Sequence, residues 1–229
     1  MKNRVFLSVL LGSLLLVLIG VMLPAPDVDR GQFLPWQIEH TADGATRVFG
    51  ITLGETTLAE AEQHLNGAAE VTLFATPDGR YRVEAYFDKV VLGGFSAKMV
   101  MVMRVTQDEA AVMYDRGVRI STLGSGTNKV TLASEDVRRV YATPIASLAY
   151  LTRTSLDDEL LLKRFGEPSA RVTELENETV HWLYPELGLD IARDRKGKAV
   201  LQYVLREDFE ALVKPLREMR PADEANQGE

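Results

Sequence analysis

The stretch "RFGEPSARVTELENETVHWLYPELGLDIA", residues 164–192, decides how the chain is read. A period of two puts Val180, Trp182 and Tyr184 on one side of a strand and His181 with Leu183 on the other. A tryptophan buries about 150–250 Å² and a tyrosine needs one partner for its hydroxyl, so the first set reads as core. His181 beside Leu183 reads as a half-exposed strand residue, with a titrating switch as the alternative. Just upstream, Gly166 and Pro168 stop a helix, since glycine can turn the chain and proline cannot continue it. Downstream, turn residues at 177, 185–188 and 195–197 divide "ARVTEL", "TVHWLYP", "GLDIARD" and "AVLQYVL" into an antiparallel meander.

The helix that Gly166 ends starts at Ser155, whose spacing to Asp158 matches a capping box, and carries Leu156, Leu160 and Leu161 on one face. A similar unit occupies the first half. Thr57 and Glu60 cap a helix through Leu58, Ala61 and Leu65 that stops at Asn66-Gly67. After it, "EVTLFA" and "RYRVEAYF" form a hairpin around Thr76–Gly79. "SAKMVMVMRV" is apolar at both parities and is predicted to be a central strand covered on both sides. Thr106 and Glu109 open another helix that stops at Gly117, "STLGSGTNK" reads as a loop, and "KVTL", "SEDVRRVY" and "IASLAYL" follow as strand, helix and strand. A last helix begins near Asp208 and is ended or kinked by Pro215. The fold class predicted is α+β: two helix-plus-antiparallel-meander units, residues 47–153 and 154–219, with a disordered acidic tail at 220–229.

Residues 1–23 have a different character. "VFLSVLLGSLLLVLIGVML", residues 5–23, carries no charge, and as a helix rising ~1.5 Å per residue it spans about 28 Å, close to a bilayer's hydrocarbon core. It is longer than a secretory signal's apolar region and lacks a small-x-small cleavage site, so it reads as an uncleaved transmembrane anchor. Lys2 and Arg4 before it, with Asp27 and Asp29 after it, predict a cytoplasmic N-terminus and a periplasmic body: a single-pass protein of a bacterial inner membrane. Residues 24–46 read as a juxtamembrane linker in which Trp36 sits at the headgroups or packs on the domain.

A capped helix, "FGEP", a strand carrying "HWLYP" and a Gly-containing hairpin before "VLQYV" give residues 155–205 a pattern that resembles the SmpA/OmlA (BamE-like) lipoprotein family. It is also similar to β-lactamase-inhibitor protein. Gly166, Pro168, Trp182, Tyr184 and Gly188 carry the match. The resemblance implies helix-plus-sheet units whose sheet binds proteins. The chain has no cysteine, hence no lipobox, so the family's outer-membrane lipid attachment is not implied.

Composition narrows the chemistry. Asp+Glu 33 against Lys+Arg 26 leaves a formal charge of −7, which disfavours nucleic acid as a partner. Without cysteine there are no disulfides, thiolate nucleophiles or cysteine zinc sites. His40, His64 and His181 stand at no metal-ligand spacing. "GSGTNK" lacks the Gly-Lys-Ser/Thr ending of a phosphate loop, and Ser125 has no Gly-x-Ser-x-Gly elbow. No catalytic, cofactor or metal residue is therefore assigned. Arg138, Arg139, Arg153 and Arg164, grouped near the seam between the units, and His181 are the candidate ligand or partner contacts. The functional expectation is a noncatalytic protein-interaction module, with a binder of an anionic lipid or glycan as the alternative and a hydrolase based on His181 as the next.

Overall fold

A computed structural model describes residues 33–153, 155–174 and 177–218. Thirteen strands and five α-helices are found among the described residues. The strands are β1 (Glu39–His40), β2 (Thr46–Val48), β3 (Ile51–Thr52), β4 (Glu70–Ala75), β5 (Tyr81–Leu92), β6 (Phe95–Met103) and β7 (Arg119–Thr122). They continue as β8 (Asn128–Thr131), β9 (Ile145–Thr152), β10 (Ala170–Thr173), β11 (Val180–Tyr184), β12 (Leu189–Arg193) and β13 (Ala199–Tyr203). The helices are α1 (Leu58–Leu65), α2 (Gln107–Asp115), α3 (Ser134–Tyr141), α4 (Asp158–Phe165) and α5 (Phe209–Glu218).

Ten strands form a single antiparallel sheet in the order β10-β11-β12-β13-β9-β6-β5-β4-β8-β7, and β1-β2-β3 form a small second one. This corrects the predicted α+β architecture of two units. Strands dominate, and the two meanders are halves of one sheet because β9 pairs with β6 through Met99↔Tyr150 and with β13 through Leu201↔Tyr150. No sequence periodicity signals such a long-range pairing. A second correction concerns the membrane. No helix among the described residues is long and apolar enough to cross one, and the longest, α5, has 10 residues. The stretch that carried the anchor expectation, 5–23, lies outside the described residues, as does the tail at 220–229. The transmembrane helix, the membrane as a partner and the inner-membrane placement are accordingly dropped.

Local signals account for most elements. Thr57 and Thr106 cap α1 and α2 with both limbs of a capping box in place, which satisfies two otherwise orphaned N–H groups at each start. The cap of α4 is Asp157 rather than Ser155: its side chain accepts from Leu160 N at 2.7 Å. Pro215 lies inside α5 without ending it. Gly117 follows α2 for a reason of space, since a Cβ there would meet Val130 Cγ1 at 2.4 Å.

One face of the ten-stranded sheet holds the main core: Ala85 and Phe87, Met99 and Met101, Leu148 and Tyr150, Leu201 and Tyr203, Leu189 and Ile191, Trp182 and Tyr184, all buried. Helices α1 to α4 contribute Leu58, Ala61, Ala110, Met113, Val140 and Leu161 to it. The methionines of β6 are thus core. On the other face α5 sets Phe209, Val213 and Leu216 against Val172, Leu183 and Val204. Alternate residues of β6, Lys98, Val100 and Val102, are only half-buried, so β6 is central but fully covered on one face alone.

The segment from Phe33 to Thr52 packs on the middle of this sheet. Tyr203 donates its hydroxyl to Pro35 O at 2.8 Å and Thr46 its hydroxyl to Val204 O at 2.9 Å. Between β2 and β3, Phe49 and Gly50 both take positive φ, 53° and 76°, the geometry of a two-residue hairpin turn that normally favours Asn-Gly. Phe49 nevertheless sits there fully buried, stacked on Tyr150 at 4.9 Å and edge-on to Tyr203 at 5.7 Å. The His64 Nε2–H donates to its carbonyl at 2.8 Å. Tertiary packing thus holds a phenylalanine in the left-handed region. Truncating it to Ala removes the wedge from the junction of the two sheet halves and is expected to cost about 3–5 kcal/mol, read from the urea unfolding midpoint.

Candidate functional site

The half-exposed face carries a continuous cross-strand row. Successive pairings align Lys98, Leu151, Val200, Ala192, His181 and Val172 from β6 through β9, β13, β12 and β11 to β10. Paired residues in an antiparallel sheet point to the same side, so these six share one face. Around the middle of the row lies a groove of about 520 Å³ whose lining is mostly apolar, with Leu151, Ala192 and Val200 as its floor. Lys98, Arg153 and Lys198 stand at its rim. Lys98 engages Asp88 at 3.0 Å and donates to the Tyr86 hydroxyl at 2.7 Å. Arg153 donates to Asp88 O at 3.3 Å. Among the described residues neither Arg153 nor Lys198 forms an ion pair. Asp194, also on the rim, is turned to its own hairpin, accepting from the N–H groups of Lys196 and Lys198.

Where the row leaves the groove, His181 is buried at 5% exposure. Its Nδ1 lies 2.8 Å from Asp190 Oδ2 and its Nε2 lies 3.1 Å from Glu174 Oε1. Gln202 Nε2 donates to the same Asp190 oxygen at 3.0 Å. Both partners of the ring are carboxylates; when both are ionised they only accept, and each ring nitrogen then donates, as in an imidazolium. Burial alone would lower its pKa, but the hydrogen bonds and charges of Asp190 and then Glu174 outweigh that and raise it above the ordinary value. Asp190 is 1% exposed; an ionised group at such a depth is tolerated only with close partners.

The expectation of a half-exposed His181 is thus corrected. The missed residues are Asp190, Glu174 and Gln202. The hairpin around Pro185–Gly188 holds the clue: pairing Tyr184 with Leu189 places Asp190 opposite Leu183, one step along the same face from His181.

The arginines are not brought to one place. Arg139 on α3 pairs with Glu109 of α2, while its neighbour Arg138 is exposed. Arg164 on α4 lies over the Trp36 ring at 4.5 Å, which packs that tryptophan on the domain. Only Arg153 lines the groove. On the core face Trp182 is flanked by Arg171 at 4.3 Å and Arg193 at 5.9 Å, and the Tyr184 hydroxyl donates to Gly166 O at 3.0 Å.

This arrangement holds the His181 ring between two carboxylates. With both N–H groups donated to carboxylates, His181 has no lone pair to act as a base. Ser125 lies in the turn after β7, bonded to Thr127 at 3.1 Å. Among the described residues no group of three or more His, Cys, Asp or Glu is disposed to hold a metal ion. Comparison of the chain with protein-family models, with curated proteins and with solved structures gives no match.

Two outcomes are expected at His181. Its raised folded-state pKa means that the cluster's stabilisation is complete below the unfolded value near 6.5 and is lost as pH rises through the folded value. The wild-type denaturation midpoint therefore falls on going from pH 6 towards alkaline pH, and H181Q flattens that slope. His181→Ala, which strands Asp190 beside Glu174, lowers stability by about 3–5 kcal/mol, measured by chemical denaturation at pH 6.

Proposed function

We propose that this protein is a noncatalytic binding module that docks a protein partner on the part of its large sheet that no helix among the described residues covers. The observation that carries the reading is the apolar strip Val100, Val102, Ala149, Leu151 and Val200. These residues of β6, β9 and β13 are half-buried on the face that α5 covers only further along. The chemistry of the groove defines the partner segment: an apolar side chain to cover Leu151 and Val200, flanked by carboxylates to meet Arg153 and Lys198. Burial of an apolar centre supplies affinity, while rim charges set orientation and encounter rate. The buried His181 cluster supports this use by fixing β11 and β12 rigidly beside the floor. The resemblance of residues 155–205 to families whose sheets bind proteins agrees with the reading.

The same groove supports a second reading, in which its occupant is a small amphipathic anion. An apolar floor beside two cations, Arg153 and Lys198, that form no ion pair among the described residues also suits an alkyl chain ending in a carboxylate or phosphate.

A photo-crosslinking residue at Val200, introduced in the cell of origin, separates the two. The docking reading expects discrete protein adducts, reduced about tenfold by L151E, since a charge in an apolar contact centre costs more than 1.4 kcal/mol. The same probe at exposed Glu135 on α3 should give none of these adducts. Absence of adducts at Val200, with a thermal midpoint raised by dodecanoate and not in R153A, would replace docking by small-anion binding.

A further inference from the structure

The edge strand β7 differs from its counterpart β10. On β10, Arg171 lies over Trp182 and pairs with Glu167 at 3.1 Å, and Val172 is buried. All four residues of β7 are exposed, and Ile120 is 48% exposed. Ile120 nonetheless ends a core row: it pairs with Val130, which pairs with Leu73, which pairs with Val83, and these three are at most 1% exposed. Val118 and Leu123 flank the strand at 71% and 43% exposure. Native edge strands are usually blunted by lysine, proline or a covering segment; β7 carries one charge, Arg119, and no proline.

Its hydrogen-bonding groups have a definite pattern. Leu123 N donates to Thr127 O at 2.8 Å, and alternation along an antiparallel ladder then turns Ser121 towards β8 as well. The N–H and C=O groups of Ile120 and Thr122 therefore point away from the sheet. Before them, Val118 N is engaged by Thr131 O, and after them the chain turns. The free groups are thus disposed symmetrically about Ser121.

We infer that β7 is a self-association edge, whose partner is β7 of a second copy of this chain. A two-fold axis at Ser121 sets Ile120 opposite Thr122 of the other copy. Each Ile120 then exchanges N–H and C=O bonds with that Thr122, which uses every outward group of the strand. The two Ser121 side chains face each other, Arg119 stands opposite Leu123 and far from its own copy, and Ile120 is covered. No like charges meet. A two-fold contact of this kind closes, so the product is a dimer and not a fibre.

The absence of cysteine allows a direct test, because S121C introduces the sole thiol of the full chain. The two Ser121 form a non-hydrogen-bonded pair, where Cα atoms approach to about 4.5 Å, within the reach of a disulfide. Under mild oxidation S121C should form a linked dimer at least about tenfold faster than S134C, whose thiol is exposed on α3. I120K or T122P in the S121C chain should remove that advantage. Thr122→Pro deletes an outward N–H and the exposed hydroxyl bond from Thr122 to Asn128 Oδ1 at 2.8 Å, so T122V, which loses the same hydroxyl and keeps the N–H, is its stability reference, and matching unfolding midpoints of the two separate lost association from lost folding. Equal rates for S121C and S134C, or linking of S121C unaffected by I120K, overturn the inference.

Discussion

The pairing of β9 with both β6 and β13 is the constraint on which the rest depends. Tyr150 stands in the middle of it, opposite Met99 on one side and Leu201 on the other. Without that strand the sheet falls into a four-stranded and a five-stranded piece, each left with an unpaired edge, at β13 and at β6. With it there is one broad surface that four helices can cover. Phe49 seals the junction from above, held in the left-handed region by Tyr150, Tyr203 and His64. The strain of that conformation is about 1 kcal/mol, small beside the apolar surface that the ring covers.

Joining the halves leaves the two faces unequal. Helices α1 to α4 contribute to the core of one face, while α5 reaches only β10, β11 and the end of β13 on the other. The remaining middle of that second face is where half-buried valines and leucines, the Arg153 groove and the His181 cluster come together. The histidine's position follows from the same inequality. Beyond the reach of α5, the row would present an imidazole to water had Glu174, Asp190 and Gln202 not closed over it.

Much of this was legible in the residues. The capping boxes at Thr57 and Thr106, the hairpin at 76–79 and the four-strand meander after Pro168 all follow from local chemistry. Ser155 misled because Asp157, two residues later, competes for the same cap and stands next to the helix. "STLGSGTNK" looked like a loop because its glycines and serines masked the β-branched run of β7; Gly126, at φ 81°, makes the turn of a hairpin. The apolar parity of β6 marked a central strand but not which of its faces is covered, since Val100 and Val102 are as oily as a buried pair would be. The charged neighbours of His181 belong to other strands and become visible only once register is fixed.

The clasp between Tyr203 and Pro35, and that between Thr46 and Val204, join parts of the chain 168 and 158 residues apart. Synthesis runs from one end, so Phe49 and the small sheet emerge from the ribosome long before the strands that receive them. The first half offers that segment Tyr150 and His64 but neither clasp, so the docking is completed only with β13 and Val204. A chain halted before β13 therefore lacks both clasps and the edge-on Tyr203 ring, and leaves that side of Phe49 open to a holdase.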